Sequence, residues 1–287
     1  MQYDIYVIVM YVFMFLFGAV VGSFLNVCIY RLPKEESLIK SNSHCMTCGE
    51  FIRKRDLIPI VSWCILRGKC HSCGAKISPR YTVVESLNAV GWVLISLRFD
   101  LISDPLWCLL NCLVYSALLV VFFMDWDTQL ISTGVVIFIG ALAIPEHFLS
   151  RTGSYEVDLK SHIIGLFVAS VPLLLIHLIS KGKAMGLGDV YLMAGAGLFL
   201  GTVKTVVALF AGIFIGAIAG IIIKKVNGDS VFAFGPWLSV GILIAIVWGY
   251  DIANAYMNFT GLAEIIYGDG AISKLPAEPS LPYIFLK

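Results

Sequence analysis

The chain of 287 residues is 59% hydrophobic and 14% charged, with a formal net charge of +1 and a mean hydropathy of +0.89. Soluble domains carry roughly 45–50% apolar and about 25% charged residues, so a soluble globular protein is excluded and a polytopic membrane protein is indicated. The near-neutral balance offers nothing to a polyanion, and no nucleic-acid partner is expected.

Apolar spans are predicted over 6–28, 82–99, 106–124, 129–149, 161–180, 189–202, 203–223 and 231–250. Most approach the ~20 residues that a helix needs to cross the hydrocarbon core. The expected fold is all-α, with about eight transmembrane helices in the lipid bilayer. The first span exceeds the apolar core of a signal peptide and has no basic stretch before it, so it is read as a membrane helix. On the seventh span Gly212, Gly216 and Gly220 fall at four-residue spacing, a pattern that lets helices pack closely.

Lysine and arginine set the orientation. The segment 29–81 holds ten of the chain's 20 basic residues, which makes it a cytoplasmic loop by the positive-inside rule. Threading the spans from there also places Lys181, Lys183, Lys224 and Lys225 inside. Arg98, Arg151, Lys160, Lys204, Lys274 and Lys287 fall on the opposite face. The expected organisation is a first transmembrane helix over 1–28, a cytoplasmic loop domain over 29–81, a transmembrane domain over 82–250 and an extracytoplasmic tail over 251–287. The segment 150–160 reads as a polar connector.

The loop contains "CMTCGEFIRKRDLIPIVSWCILRGKCHSC". Cys45 and Cys48 form one C-x-x-C, and Cys70 and Cys73 form a second after 21 intervening residues. Two such pairs let four thiolates close tetrahedrally on one Zn²⁺. Disulfides are disfavoured in a cytoplasmic loop. A closed site of this kind holds a small loop-rich fold together. His44 and His71 flank the pairs and could each replace a cysteine, although solvated loop histidines are the plainer reading. Cys108 and Cys112 share a helix face and are read as packing.

Charge is scarce in the spans. From Leu106 to Pro145 the charged residues are Asp125 and Asp127, and from Ala184 to Ile223 they are Asp189 and Lys204. An acidic side chain at mid-membrane costs ~2.5–3.5 kcal/mol on insertion scales. Asp125 and Asp189 both map to cytoplasmic span ends, so they can face one another across a bundle. Two carboxylates that share a site cannot easily both ionise, so the pair holds one proton. The charged member can activate water while its partner donates to an amide carbonyl, as in aspartic proteases. Gly186 and Gly188 beside Asp189 permit close backbone approach. Asp125 and Asp127 lie about 200° apart on a helix, so at most one meets Asp189. Two other readings stay open on spacing alone: a proton- or cation-coupled transporter, and solvated aspartates favoured by helix N-termini.

Five stretches in order resemble the type IV prepilin peptidases, a family of membrane aspartic peptidases with a GxGD motif. These are "GSFLNVCIYRLP" at 22–33, the block from Cys45 through "RYTVVE", "MDWDTQLI", "GLGDVYLM" and "FGPWLSVG" at 234–241. The resemblance implies removal of the leader of type IV prepilins and pseudopilins at the cytoplasmic face of the bacterial inner membrane. In many members the new amino terminus is also N-methylated with S-adenosylmethionine. By motif position it implies Asp125 and Asp189 as the catalytic pair. Cys45, Cys48, Cys70 and Cys73 are implied as structural zinc ligands, and a methyl-transfer region around Gly68 and Lys69. The span domain 82–250 would then be the peptidase. The chain departs from the family pattern at Tyr191, where lysine is usual, and at Ser132 and Thr133, where Pro-Asp is frequent. A transporter should instead show carboxylates nearer mid-bilayer and inverted repeats. A scaffold that docks a partner through the zinc loop should tolerate Asp189→Asn.

Overall fold

The computed structural model describes residues 2–40, 43–145, 159–227, 232–262 and residue 275. Among these residues the fold is all-helical with no β-strand beyond two isolated bridges. Five helical stretches are long and apolar enough to cross a membrane: Ile5–Lys34, Pro105–Thr128, Leu159–Ile179, Leu187–Val226 and Gly235–Thr260. The chain divides into two compact units, Met1–Val120 and Val121–Lys287.

The first unit begins with α1 (Gln2–Arg31). Its loop domain contains the five-residue α2 (Val61–Ile65), and the next membrane segment is α3 (Arg80–Arg98). Helix α4 (Pro105–Thr128) starts in this unit and carries the chain into the second. Apolar side chains alone do not hold helices together in lipid, so close packing and hydrogen bonds must. Gly18 and Gly22 provide the first: an added Cβ would stand 2.9 Å from Ala89 Cα and 2.8 Å from Glu85 Cα. A buried polar chain provides the second. Trp92 Nε1 donates to Ser116 Oγ at 2.9 Å, Ser116 Oγ donates to Asn88 Oδ1 at 2.8 Å, and Asn88 Nδ2 donates to the Gly18 carbonyl at 2.7 Å. Cys108 and Cys112 are fully buried beside this network. The outward face of α1 leaves Phe13, Leu16, Phe17 and Val20 exposed, as lipid contact requires.

The second unit holds α5 (Thr133–Ala141), α6 (Leu159–Ile179), α7 (Leu187–Asn227) and α8 (Gly235–Thr260). A straight 41-residue helix would run about 60 Å, twice the hydrocarbon thickness. Gly201 divides α7 instead, at φ 74 and ψ 174, a conformation that only glycine adopts readily. The expected boundary between spans at 202 and 203 falls there. Neighbouring side chains satisfy the backbone groups freed by the break. Ser161 Oγ accepts the Thr202 N–H at 3.1 Å, and His162 Nδ1 lies 2.8 Å from the Leu198 carbonyl. Gly165 of α6 meets the backbone of Gly197 and Gly201 directly. On the other half of α7, Gly212 packs on Leu238, Gly216 on Phe234 and Gly220 on Phe232. The glycine spacing is therefore a packing seam.

Helix α8 runs through Trp248, where the backbone departs from helical values, and on to Thr260, ten residues past the expected end of the last span. Its last turns alternate polar Asp251, Asn254 and Asn258 with apolar residues, which suits the membrane interface. Most of the expected tail and of the 150–160 connector lies outside the described residues.

Candidate active site and metal cluster

Each C-x-x-C folds as a small knuckle, and the two repeat one pattern. The Cys45 N–H donates to the Glu50 carbonyl at 2.9 Å, and the Cys70 N–H donates to the Ala75 carbonyl at 2.8 Å. The Gly49 N–H returns to the Cys45 carbonyl at 2.8 Å, and the Gly74 N–H to the Cys70 carbonyl at 3.0 Å. Both glycines sit at positive φ, 73° and 72°, so the sequence C-x-x-C-G closes each turn without strain. The four sulfurs all lie within 4.8 Å of one another, with Cys45 Sγ 3.9 Å from Cys73 Sγ. Sulfurs bound tetrahedrally at about 2.3 Å from zinc stand about 3.8 Å apart, so the donor set and its geometry fit a metal ion. The N–H groups of Cys48 and Thr47 hold the Cys45 thiol down at about 6, in the thiolate form that binds metal. Cys48 receives an N–H from Glu50, yet burial and the neighbouring Cys73 and Cys45 push it up to about 11. That crowded charge is what a divalent cation neutralises. His44 and His71 lie outside this set.

Gly68 and Lys69 belong to the second knuckle. The Ile77 N–H donates to the Gly68 carbonyl at 2.7 Å, as the Ile52 N–H donates to Ser43 in the first knuckle. A Cβ on Gly68 would stand 2.9 Å from Trp63 Cζ2, so the indole packs directly against this glycine. Lys69 is exposed.

The aspartates lie in the second unit. Asp125 occupies the last turn of α4 and is 5% exposed, whereas Asp189 opens α7 and is 6% exposed. Asp127, on the other face of α4, is exposed. The first N–H of α8, from Gly235, donates to Asp125 Oδ2 at 2.9 Å. The Gly186 amide hydrogen-bonds the Asp189 carboxylate, which also lies within electrostatic reach of Asp125. Both carboxylates thus sit at helix N-termini, where the backbone dipole favours negative charge.

Ile131 joins the two sides. A Cβ on Gly188 would stand 3.1 Å from Ile131 Cβ, and one on Gly235 would stand 3.0 Å from Ile131 Cδ1 and 2.7 Å from Asp125 Oδ2. The stretches "MDWDTQLI", "GLGD" and "FGPW" therefore converge at one point. Gly235 and Ile131 were missed as site residues in the sequence, although Gly-Pro at a helix start marks where free N–H groups begin. Aromatic rings flank Asp125: Trp126 meets Trp237 edge-on at 6.1 Å, and Trp237 stacks on Phe232 at 6.3 Å. Of the departing positions, Tyr191 is exposed on α7, and Ser132 caps α5 by its carbonyl, which accepts the Val135 and Val136 N–H groups.

Comparison with known proteins gives these features a family. A profile of the bacterial peptidase A24 N-terminal domain matches residues 16–99, and that of the type IV leader peptidase family matches residues 112–221. A prepilin leader peptidase/N-methyltransferase of Legionella pneumophila is 31% identical, covering 87% of this chain and 95% of that protein. The protein of the same name from Neisseria gonorrhoeae is 34% identical over 78% of this chain and 85% of its own length. A type 4 prepilin-like proteins leader peptide-processing enzyme of Escherichia coli is 32% identical, covering 78% and 88%. No solved structure matches. The chain belongs to the type IV leader peptidase family.

Proposed function

We propose that this protein is a membrane aspartic endopeptidase that removes the leader of type IV prepilins and pseudopilins, with Asp125 and Asp189 as its catalytic pair. The observation that carries the reading is the meeting of two nearly buried carboxylates from helices far apart in sequence, with no ion pair to either among the described residues. Such a pair shares one proton. The charged carboxylate takes a proton from a water as the water oxygen attacks the scissile carbonyl carbon. The protonated one donates to the carbonyl oxygen. A proton then passes to the amide nitrogen, the C–N bond breaks, and the leader departs as a carboxylic acid, leaving a new amino terminus. The Gly235 and Gly186 amides hold the two carboxylates in place during these transfers.

The relatives are named N-methyltransferases as well as leader peptidases, and in this reading the new amino terminus is the methyl acceptor and S-adenosylmethionine the donor. The four-cysteine cluster holds a structural zinc that fixes the loop, and no proton transfer passes through it. The basic loop orients the protein with the pair at the cytoplasmic face of the bacterial inner membrane. There a substrate whose apolar helix stays in lipid presents its leader junction. The test is leader release from a full-length prepilin by the purified chain in lipid, read by mass spectrometry with and without S-adenosylmethionine. Release of the leader, and a gain of one methyl group on the product with the donor present, is the expected result. Absence of cleavage with every prepilin tried overturns the reading.

A further inference from the structure

The turn that delivers Asp189 is folded around a histidine that no step of the proposed cleavage uses. His177 lies half-buried in the last turn of α6, and the chain reverses just beyond it. Lys181 and Gly182 both adopt positive φ, 54° and 78°, and the Gly182 N–H returns to the His177 carbonyl at 2.8 Å. A Cβ on Gly182 would stand 3.4 Å from His177 Cε1, so the reversal lays the turn over the ring. The ring then meets the far end of the turn, where Nδ1 lies 2.9 Å from the Met185 carbonyl oxygen. A carbonyl only accepts, so the imidazole carries a proton on Nδ1.

The Met185 carbonyl and the Gly186 N–H are the two ends of one peptide unit. That unit is planar, so fixing its oxygen aims its hydrogen. The Gly186 N–H donates to the Asp189 carboxylate, and a Cβ on Gly186 would stand 3.4 Å from Asp189 Oδ2. One peptide is thus held at both ends, by His177 at its oxygen and by Asp189 at its hydrogen. Hydrogen bonds in such a chain polarise one another, which makes the N–H a stronger donor. Gly186 is exposed and glycine backbone turns easily, so without the ring water takes the carbonyl and the unit loses its aim. Asp125 is held differently, by an N–H at the start of α8 that the helix itself fixes.

We propose that His177 is a positioning residue for Asp189, acting through the Met185–Gly186 peptide. The proposal rests on the reading of Asp189 as one of the catalytic pair, and it adds the group that sets the place of that carboxylate. A histidine at a helix C-terminus also complements the helix dipole, but that role alone would leave the Gly186 amide and kcat untouched.

The experiment reads both. Met185–Gly186 is the one Met-Gly pair in the chain, so methionine with a ¹³C carbonyl and glycine with ¹⁵N label a single peptide bond. A carbonyl-edited amide spectrum of the full chain in lipid nanodiscs then reports Gly186 alone. In His177→Ala the Gly186 amide proton should move upfield, as it should in Asp189→Asn, where the acceptor loses its charge. With prepilin as substrate, kcat for leader release in His177→Ala should fall about tenfold or more with KM within about twofold. His177→Asn keeps an N–H near the Nδ1 position and should retain both readouts. Ser180→Ala loosens the same turn, since Ser180 Oγ accepts the Ala184 N–H at 3.2 Å. It should lower the thermal midpoint and alter neither readout. An unmoved Gly186 signal or an unchanged kcat in His177→Ala overturns the proposal, as does an equal loss of kcat in Ser180→Ala. Should His177→Ala fail to fold, His177→Phe, which keeps the bulk of the ring and lacks the donor, takes its place with the same expectations. Wild type that cleaves nothing, or Asp189→Asn that cleaves as wild type does, defeats the catalytic reading. The Gly186 signal still decides in that case whether His177 holds the peptide.

Discussion

The metal cluster and the aspartate pair are built by opposite means. Each knuckle closes through hydrogen bonds between residues at most nine apart, and a single glycine at positive φ completes each turn. The aspartate pair closes through the packing of whole helices, with Gly235 of α8 bonded to Asp125 of α4 across 110 residues of sequence. Local closure makes a site that a short segment specifies and a bound ion fixes. Long-range closure makes a site that exists only when every helix of the bundle is in register, and small residues set that register.

Metal removal tests the local side and has the largest expected effect on folding. Structural zinc contributes about 10–16 kcal/mol of apparent binding energy in small metal-held domains. Elemental analysis should find zinc in wild type and less than about a tenth as much in Cys70→Ser, because three ligands leave the tetrahedron open. Limited proteolysis should then cut within 43–80, which an intact cluster protects. Equal zinc in both proteins would separate the cysteines from the metal.

The long-range side should break at its contact points without loss of fold. Gly235→Ala puts a Cβ 2.7 Å from Asp125 Oδ2, so a carboxylate must move. A misplacement near 1 Å lowers rates about 10²-fold, and kcat for leader release should fall by about that factor. Unchanged kcat would mean that Asp125 does not need this contact. Gly201→Ala should act more mildly and through stability, because its φ 74 and ψ 174 lie in a region essentially restricted to glycine, where another residue costs of order 1–3 kcal/mol. Thermal unfolding in detergent would read it as a lowered midpoint. The smallest effect is expected at Asp127, which is exposed on the opposite face of α4. Asp127→Asn should change leader release by less than about twofold, as surface substitutions do.

The sequence shows the same asymmetry in what it reveals. The two C-x-x-C pairs announce a tetrahedral site because their geometry is written within a few residues, and Gly49 and Gly74 were there to be read as the turn closers. The division of α7 at Gly201 was legible from length, since one helix cannot use twice the bilayer thickness. The proposed partnership of Asp125 with Asp189 draws on scarcity of charge and on family resemblance, and spacing alone left Asp127 as a rival. Burial distinguishes the two, and burial depends on how α4 meets its neighbours. Ile131 carried no chemical signal and Gly235 only that of a helix start before proline, because a backbone N–H and an aliphatic side chain become site elements only through packing.

The central claim is that Asp125 and Asp189 act as one unit. Its most direct test is leader release from a prepilin by wild type, Asp125→Asn, Asp189→Asn and the double variant, each with zinc content measured to verify the fold. The account predicts a loss of about 10²–10⁴-fold in either single variant, with the double variant no worse than the singles because the pair shares one proton and one task. Cleavage that survives in either single variant, with zinc intact, would remove that aspartate from the chemistry and contradict the account.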